Sequence, residues 1–388
     1  MTTAPKPRRG RGAGRRSVKA CLLALGAILL PGTSTPPDAP DPPSPAWQGV
    51  WQGTIGTLPV RACLKRDGVG DGMGSYYYLS RLRTIRLEQQ GTGKVWTEGW
   101  SSSSGPPAPR WTFAQVGRDR LTGAWQDGGR TLAFRLSRVS GDDGEAPCGS
   151  EAFNGPRWRP LSIAETPASK DGVHYRRLVF GAGPAFPDLS MQGFALIGDD
   201  PATRRINAGL RAQVPGARED WRGCIISGLE AHGVDGELTA ALAPTLITRR
   251  WLGAALTQDD DCGGAHPNNA EMPVTFDRAT GAAVRLHDWL TDAALDRREA
   301  SADLPPTVRP AFRRLIVARA GDVEPECRDA LLEENYWDIG LDRRGLTFRP
   351  ELPHVVQACA DDVLMPWPSL ARFLTAAGRA GHASLSAR

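Results

Sequence analysis

The run Cys262-Gly263-Gly264-Ala265-His266-Pro267-Asn268-Asn269, followed by Phe276-Asp277-Arg278-Ala279-Thr280-Gly281, decides how the second half of this chain is read. Its later part reads as a strand ending in a β-turn at residues 277–281, after which Leu286, Trp289 and Leu290 begin a helical apolar pattern. The glycine pair supplies positive-φ backbone at no steric cost, which suits a loop that passes close to another segment.

Outward from this run, residues 173–180 and 189–197 read as strands, and 201–229 as a long helical stretch broken near Pro215. Residues 238–242 and 245–256 alternate as a β-hairpin leading to the acidic loop Asp259-Asp260-Asp261. Helices are expected at 286–295, 308–318 and 324–334, strands at 337–341, 346–349 and 363–366, and a closing helix at 367–377. Mixed blocks of this kind predict an α+β domain over 173–378, with a disordered tail at 379–388. Upstream, eight short β-like segments lie between residues 49 and 136, punctuated by Gly, Asp, Ser and Pro clusters. They predict an all-β small barrel or sandwich at 46–150. The polar, proline-bearing stretch 151–172 reads as a linker. The fold class is therefore α+β, an N-terminal antiparallel β domain followed by a mixed domain.

The N-terminus reads as an address. Lys6, Arg8, Arg9, Arg11, Arg15, Arg16 and Lys19 form a basic leader with no acidic residue before Asp38. The apolar run at 20–30 (ACLLALGAILL) falls short of the ~20 residues that span a bilayer. Residues 1–36 are thus expected to be a cleaved signal peptide and 37–45 a Pro-rich tether. Arg15-Arg16 leaves the twin-arginine route open beside the general one. The whole chain has 47 basic and 43 acidic residues, a formal +4. Without the seven basic residues of the leader the balance is 40 against 43, about −3. No basic tract remains to suggest nucleic acid. The mature chain is expected to carry no membrane span and to be periplasmic or secreted.

Loss of Cys21 with the leader leaves Cys63, Cys148, Cys224, Cys262, Cys327 and Cys359. An even count in an oxidising compartment predicts disulfides, while the sequence leaves the connectivity open. Proximity along the chain favours Cys63–Cys148, Cys224–Cys262 and Cys327–Cys359, each worth about 3–5 kcal/mol in the chain-entropy model. Zinc competes poorly, because no C-x2-C or H-x3-H spacing occurs.

The opening run, Leu286-His287-Asp288, Gly345-Leu346-Thr347-Phe348 and Val363-Leu364-Met365-Pro366-Trp367 together resemble the C-terminal domain family of the anti-sigma factor RsiV. That family also occurs beside PdaC-type deacetylase modules. The resemblance covers about residues 173–378. It departs where many members carry Pro-Tyr followed by glycine, since this chain has Pro353-His354-Val355-Val356-Gln357-Ala358-Cys359. What it implies is recognition of lysozyme or peptidoglycan-related ligands at the cell envelope. For 46–150 no family is recognised.

His266 follows two glycines and neighbours three aspartates, yet consecutive aspartates point in different directions and do not readily share one ion. No metal or cofactor is expected. His266, Asn268 and Asn269 are candidate ligand contacts, with the competing reading of a rigid loop corner. Trp47, Trp51, Trp96, Trp100, Trp111 and Trp125 are six of the chain's twelve tryptophans. Residues i and i+4 of a strand share a face, pairing Trp47 with Trp51 and Trp96 with Trp100. Core filling competes with a stacking platform, for which Trp47, Trp100 and Tyr77 are the candidates. Hydrolase chemistry finds no G-x-S-x-G elbow, a serine run at 101–104 that reads as a turn, and adjacent carboxylates at 333–334 and 361–362. No catalytic residue is assigned. The expectation is a non-catalytic envelope binding protein, with a cell-wall hydrolase or deacetylase accessory, or a purely structural envelope protein, as alternatives.

Overall fold

Eight segments of alternating inward and outward side chains, joined mostly by tight turns, close the N-terminal region into an up-and-down antiparallel barrel. The computed structural model describes residues 44–385 apart from 68–69, 92, 101–106, 140–145, 215–220 and 302–303. The expected signal peptide, nearly all of the tether and the serine run lie outside the described residues. The barrel strands are β1 (Gly49–Ile55), β2 (Leu58–Arg66), β3 (Gly72–Tyr78), β4 (Ile85–Gln89), β5 (Val95–Glu98), β6 (Arg110–Val116), β7 (Arg120–Asp127) and β8 (Arg130–Arg138). β1 pairs with both β2 and β8, so no sheet edge remains open. Trp51, Tyr76, Trp96, Trp111, Phe113, Trp125 and Phe134 pack together inside the barrel. Aromatic rings therefore fill it.

Strands β1–β3 are covered on their outer face as well. Val50, Cys63 and Tyr77 point outward into a second core, shared with the domain that follows. The segment expected as a linker is where the two regions meet. Helix α1 (Glu151–Asn154) caps the barrel wall, and the Tyr77 hydroxyl donates to Phe153 O at 2.6 Å. Arg157 is fully buried; its Nε donates to Leu82 O at 2.9 Å, and its guanidinium pairs with Asp235 and lies 4.5 Å from the Phe186 ring. Residues 162–170 form strand β9 (Ser162–Lys170), turning through Asp171-Gly172 into β10 (Val173–Gly181). Both turn residues have positive φ, as a two-residue hairpin loop of this sequence requires. The linker expectation is thus corrected: Ser162–Lys170 pairs with β10 along its whole length, which polarity and a single proline concealed.

β9 and β10 begin a six-stranded sheet of order β14-β13-β12-β11-β10-β9. It is completed by β11 (Leu189–Leu196), β12 (Glu237–Ile247), β13 (Trp251–Asp261) and β14 (Asn268–Asp277). Only β11 and β12 pair in parallel; α2 (Pro201–Gln213) and α3 (Trp221–His232) lie between them in sequence and pack on the sheet. The expected hairpin at 238–256 is shifted. Residues 237–247 are one strand with an irregularity at Pro244, and its true partner is 251–261. The β-turn at 277–281 forms as read, and Gly281 is required there: its φ is +75°, and a Cβ would lie 2.5 Å from Ala202 O of α2.

The chain then folds a third layer. After the short strands β15 (Leu295–Asp296) and β16 (Thr307–Val308) come α4 (Pro310–Val317) and α5 (Pro325–Glu333). Strands β17 (Trp337–Asp342), β18 (Gly345–Pro350) and β19 (Val363–Pro366) form a three-stranded sheet beside β13 and β14. Helices α6 (Trp367–Leu370) and α7 (Ala376–Leu385) close it. The helix expected at 286–295 shrinks to one 3-10 turn, Leu286–Trp289. Residues 379–385, expected as disordered tail, belong to α7, whose Gly378 and Gly381 let the helix sit directly on Trp289. A Cβ at Gly381 would lie 2.4 Å from that indole, so small residues that read as weak helix formers mark a packed face.

All three disulfides join the pairs favoured by proximity: Cys63–Cys148, Cys224–Cys262 and Cys327–Cys359. Such bonds fit an exported protein. Among the described residues, no helix is long and apolar enough to cross a membrane.

Candidate functional site: an acidic groove beside the glycine loop

The opening run folds as the connection between β13 and β14. Cys262 ties its start to Cys224 of α3, and Gly263 runs so close to that helix that a Cβ would meet Ser227 O at 2.6 Å. Its φ of +84° is the positive-φ backbone expected of the pair. The loop therefore turns tightly against α3, and Pro267, Asn268 and Asn269 at its end line an open groove of about 540 Å3.

Register decides which side chains meet there. Glu237 on β12 is the cross-strand partner of Asp261 on β13, and Thr239 is the partner of Asp259. On the other side, Asp259 pairs with Asn269 and Asp260 with Asn268 of β14. Asp188, just before β11, completes the acidic lining, and His354 closes the far wall. Five acidic residues thus line the groove, with no lysine or arginine among the lining residues. Carboxylates directly across an antiparallel pair repel, so the Glu237–Asp261 pairing costs stability that a cationic partner would recover. The triplet Asp259-Asp260-Asp261 splits as its alternation requires, with Asp260 accepting from Gln258 Nε2 at 2.8 Å. Among the described residues, no three His, Cys, Asp or Glu side chains assemble as a metal-holding group.

The far wall comes from a distant part of the chain. His354 stacks on His266 with ring centroids 5.0 Å apart, and Gln357 Nε2 donates to Asn269 O at 3.3 Å. The 3-10 turn His354–Cys359 is braced to α5 by Cys327–Cys359. This is the segment where the sequence departs from the family pattern, and a covalent bond holds it. Val355 stands 89% exposed beside His354, an apolar knob on an acidic rim. Sequence reasoning reached His266, Asn268 and Asn269; Asn268 and Asn269 line the groove with His354, Glu237 and Asp188, while His266 stands behind them, stacked on His354. His354, Glu237 and Asp188 it missed, because no local spacing links residues 188, 237 and 354.

The aromatic candidates separate. Tyr77 is fully buried, and burial pushes its hydroxyl up to about 12 against the opposing pull of Arg61 and Arg157, so it is corrected from ligand contact to core. Trp47 is half-buried, edge-on to Trp96 at 5.1 Å, with its carbonyl accepting from Trp51 Nε1; it plugs the barrel end. Trp100 alone is open, at 61% exposure. One ring face lies 4.0 Å from the Arg86 guanidinium. That guanidinium is itself fixed by His232 O, Glu88 and Gly99 O. Trp96 points inward while Trp100 does not, because the strand ends at Glu98 and the i, i+4 relation lapses.

Inside the barrel, sequence reasoning also passed over Glu98. Its Oε1 accepts from Tyr76 Oη and Trp125 Nε1, both at 2.6 Å. Burial first, then the Glu98 charge, holds the Tyr76 hydroxyl well above its usual range. His287, from the family-like Leu286-His287-Asp288, is structural: it donates to Trp337 O at 3.1 Å, and burial lowers its pKa.

Neither a scan of protein-family models nor a search of curated proteins finds a match. Solved structures similar in fold include two DUF3298-family proteins. One is a DUF3298-family protein of Bacteroides fragilis, at 11% identity and TM-score 0.39, covering 59% of this chain and 96% of that one. The other is a DUF3298-family protein of Pseudomonas aeruginosa, at 12% identity and TM-score 0.33, covering 56% of this chain and 96% of that one. DUF3298 is the family of RsiV C-terminal domains. At such scores the chemistry of the groove has to be read from this chain's own residues.

Proposed function

We propose that this chain is an exported, non-catalytic cell-envelope binding protein, acting in the periplasm or outside the cell, whose acidic groove receives a basic protein surface. Lysozyme, the partner implied by the RsiV resemblance, has the required chemistry. One observation carries the reading: five acidic residues from three segments line one groove with no lysine or arginine in its lining, beside the exposed Val355. Charge complementarity of this kind speeds encounter and fixes orientation, while a projecting apolar side chain supplies desolvated contact. The test is titration of the mature chain with lysozyme and, separately, with soluble peptidoglycan fragments. Micromolar or tighter lysozyme binding that weakens with salt supports the reading. Fragment binding that shifts Trp100 fluorescence would move the ligand to the exposed indole. Binding to neither at micromolar concentration overturns both versions.

A second reading, a cell-wall hydrolase, has one observation behind it. Glu237 and Asp261 face each other across neighbouring strands at an open groove, and paired carboxylates are what glycoside hydrolysis uses. Release of reducing ends from peptidoglycan, abolished by Glu237→Gln, would establish it. Intact peptidoglycan after prolonged incubation would remove it.

A further inference from the structure

A cleft of about 520 Å3 opens between α6 and α7 in the third layer, and it shares no residue with the acidic groove. Trp367, Pro368, Ala371 and Leu374 give it an apolar floor, over which Arg379 and His382 stand. No acidic residue lines it. The groove is lined by acids and the cleft by bases, so the two select ligands of opposite charge.

The walls of the cleft are fixed by contacts of the fold itself. α7 sits on Trp289 through Gly378 and Gly381, and Trp251 Nε1 donates to Ser384 Oγ at 2.7 Å near the end of the helix. Arg379 and His382 are three residues apart on α7 and therefore share a face. The Arg379 guanidinium donates to Leu374 O at 2.7 Å, and the His382 ring stacks on Trp367 with centroids 4.4 Å apart. Trp367 Nε1 donates to Arg343 O at 3.0 Å, which holds the indole in place. Neither Arg379 nor His382 has an acidic partner among the described residues. A guanidinium with one nitrogen engaged keeps further N–H donors for a planar anion, and the imidazole adds another.

We infer that this cleft binds a small amphipathic carboxylate, a free acid with an apolar body. Its carboxylate is held by Arg379 and His382, and its apolar body lies on Trp367, Ala371 and Leu374. An apolar floor with a few converging polar groups is the usual build of a small-molecule site. The floor supplies area removed from water, and the unpaired guanidinium sets the sign of the ligand and its direction. The inference does not depend on the groove reading.

Calorimetric titration of the mature chain with octanoate, 1-octanol and octylamine tests this. Octanoate is expected to bind with a Kd below about 1 mM, which a ligand of its size permits, and at least about tenfold more tightly than the alcohol or the amine. Arg379→Gln should weaken octanoate about tenfold and leave octanol unchanged. Trp367 belongs to the core, so the floor is tested by filling the cleft instead. Ala371→Trp should abolish octanoate binding, with Tm in the absence of ligand checking that the fold is intact. No octanoate binding at millimolar concentration overturns the site, and so does octylamine binding as tightly as octanoate. Octanoate affinity unchanged by Arg379→Gln places the acid elsewhere and also overturns it. A chain that sediments as a dimer, and as a monomer once Ala371→Trp is made, would give the cleft to a second copy and remove the inference. Lysozyme titration reads the groove separately, and its failure leaves the octanoate result to stand or fall alone.

Discussion

The barrel interior and the acidic groove sit in one chain and are built on opposite rules. Inside the barrel, Trp51, Trp96, Trp111 and Trp125 pack with Tyr76, Phe113 and Phe134, Trp111 meeting Tyr76 and Trp96 meeting Phe113 edge to face, and Tyr76 and Trp125 both donate to Glu98. In the groove, five acidic residues line one surface with no lysine or arginine among them, and Val355 is left in water. The first arrangement lowers the free energy of the fold. The second raises it, and a cationic partner would offset it. A tryptophan-rich sequence therefore marks the core here, while the surface that is costly for the isolated molecule marks the candidate site.

Trp111→Ala should break the barrel side most severely. The ring is fully buried among Tyr76, Phe113 and Phe134, and its removal should cost about 3–5 kcal/mol in urea denaturation. Next comes replacement of Cys224 and Cys262 by alanine, expected to cost about 2–4 kcal/mol. It should also release the glycine loop from α3, seen as faster hydrogen exchange at residues 262–269. Neutralising the groove, with Glu237→Gln, Asp259→Asn and Asp261→Asn together, should leave stability within about 0.5 kcal/mol or raise it. The same variant should lose at least about tenfold in affinity for a basic partner, along with most of its salt dependence. A clear loss of stability there would mean that the carboxylates are structural. Trp100→Ala should change stability least, by less than about 0.5 kcal/mol, while removing the indole fluorescence most accessible to acrylamide.

Much of the fold was legible because local rules were obeyed. All eight barrel strands occur where alternation and turn residues put them, and β7 and β8, with solvent on one face, alternate plainly. β3 did not, because its Gly-Met-Gly-Ser-Tyr-Tyr-Tyr run is buried on both sides and carries no period. Tyr77 accordingly passed for a surface candidate. The α+β class of the second half was read correctly, while β9 was missed for its polarity and α7 for its glycines. For the site, His266, Asn268 and Asn269 were within reach, since the glycine pair announced a tight loop. Glu237 and His354 were not. They arrive through strand register and through a connection nearly ninety residues beyond the loop, held by Gln357 to Asn269 O.

Backbone geometry acts over a few residues, and that is what the sequence determined alone: eight short strands, a mixed second domain, six cysteines after residue 36 and an N-terminal stretch that carries the excess positive charge. Tertiary structure decided which faces those elements share. It buried Arg157 between barrel and sheet, filled the barrel with its own tryptophans, and gathered acids from β12, β13 and the turn before β11 into one groove. Period and turn chemistry are properties of neighbours in the chain. Burial, repulsion and a binding surface depend on which distant residues are brought against them.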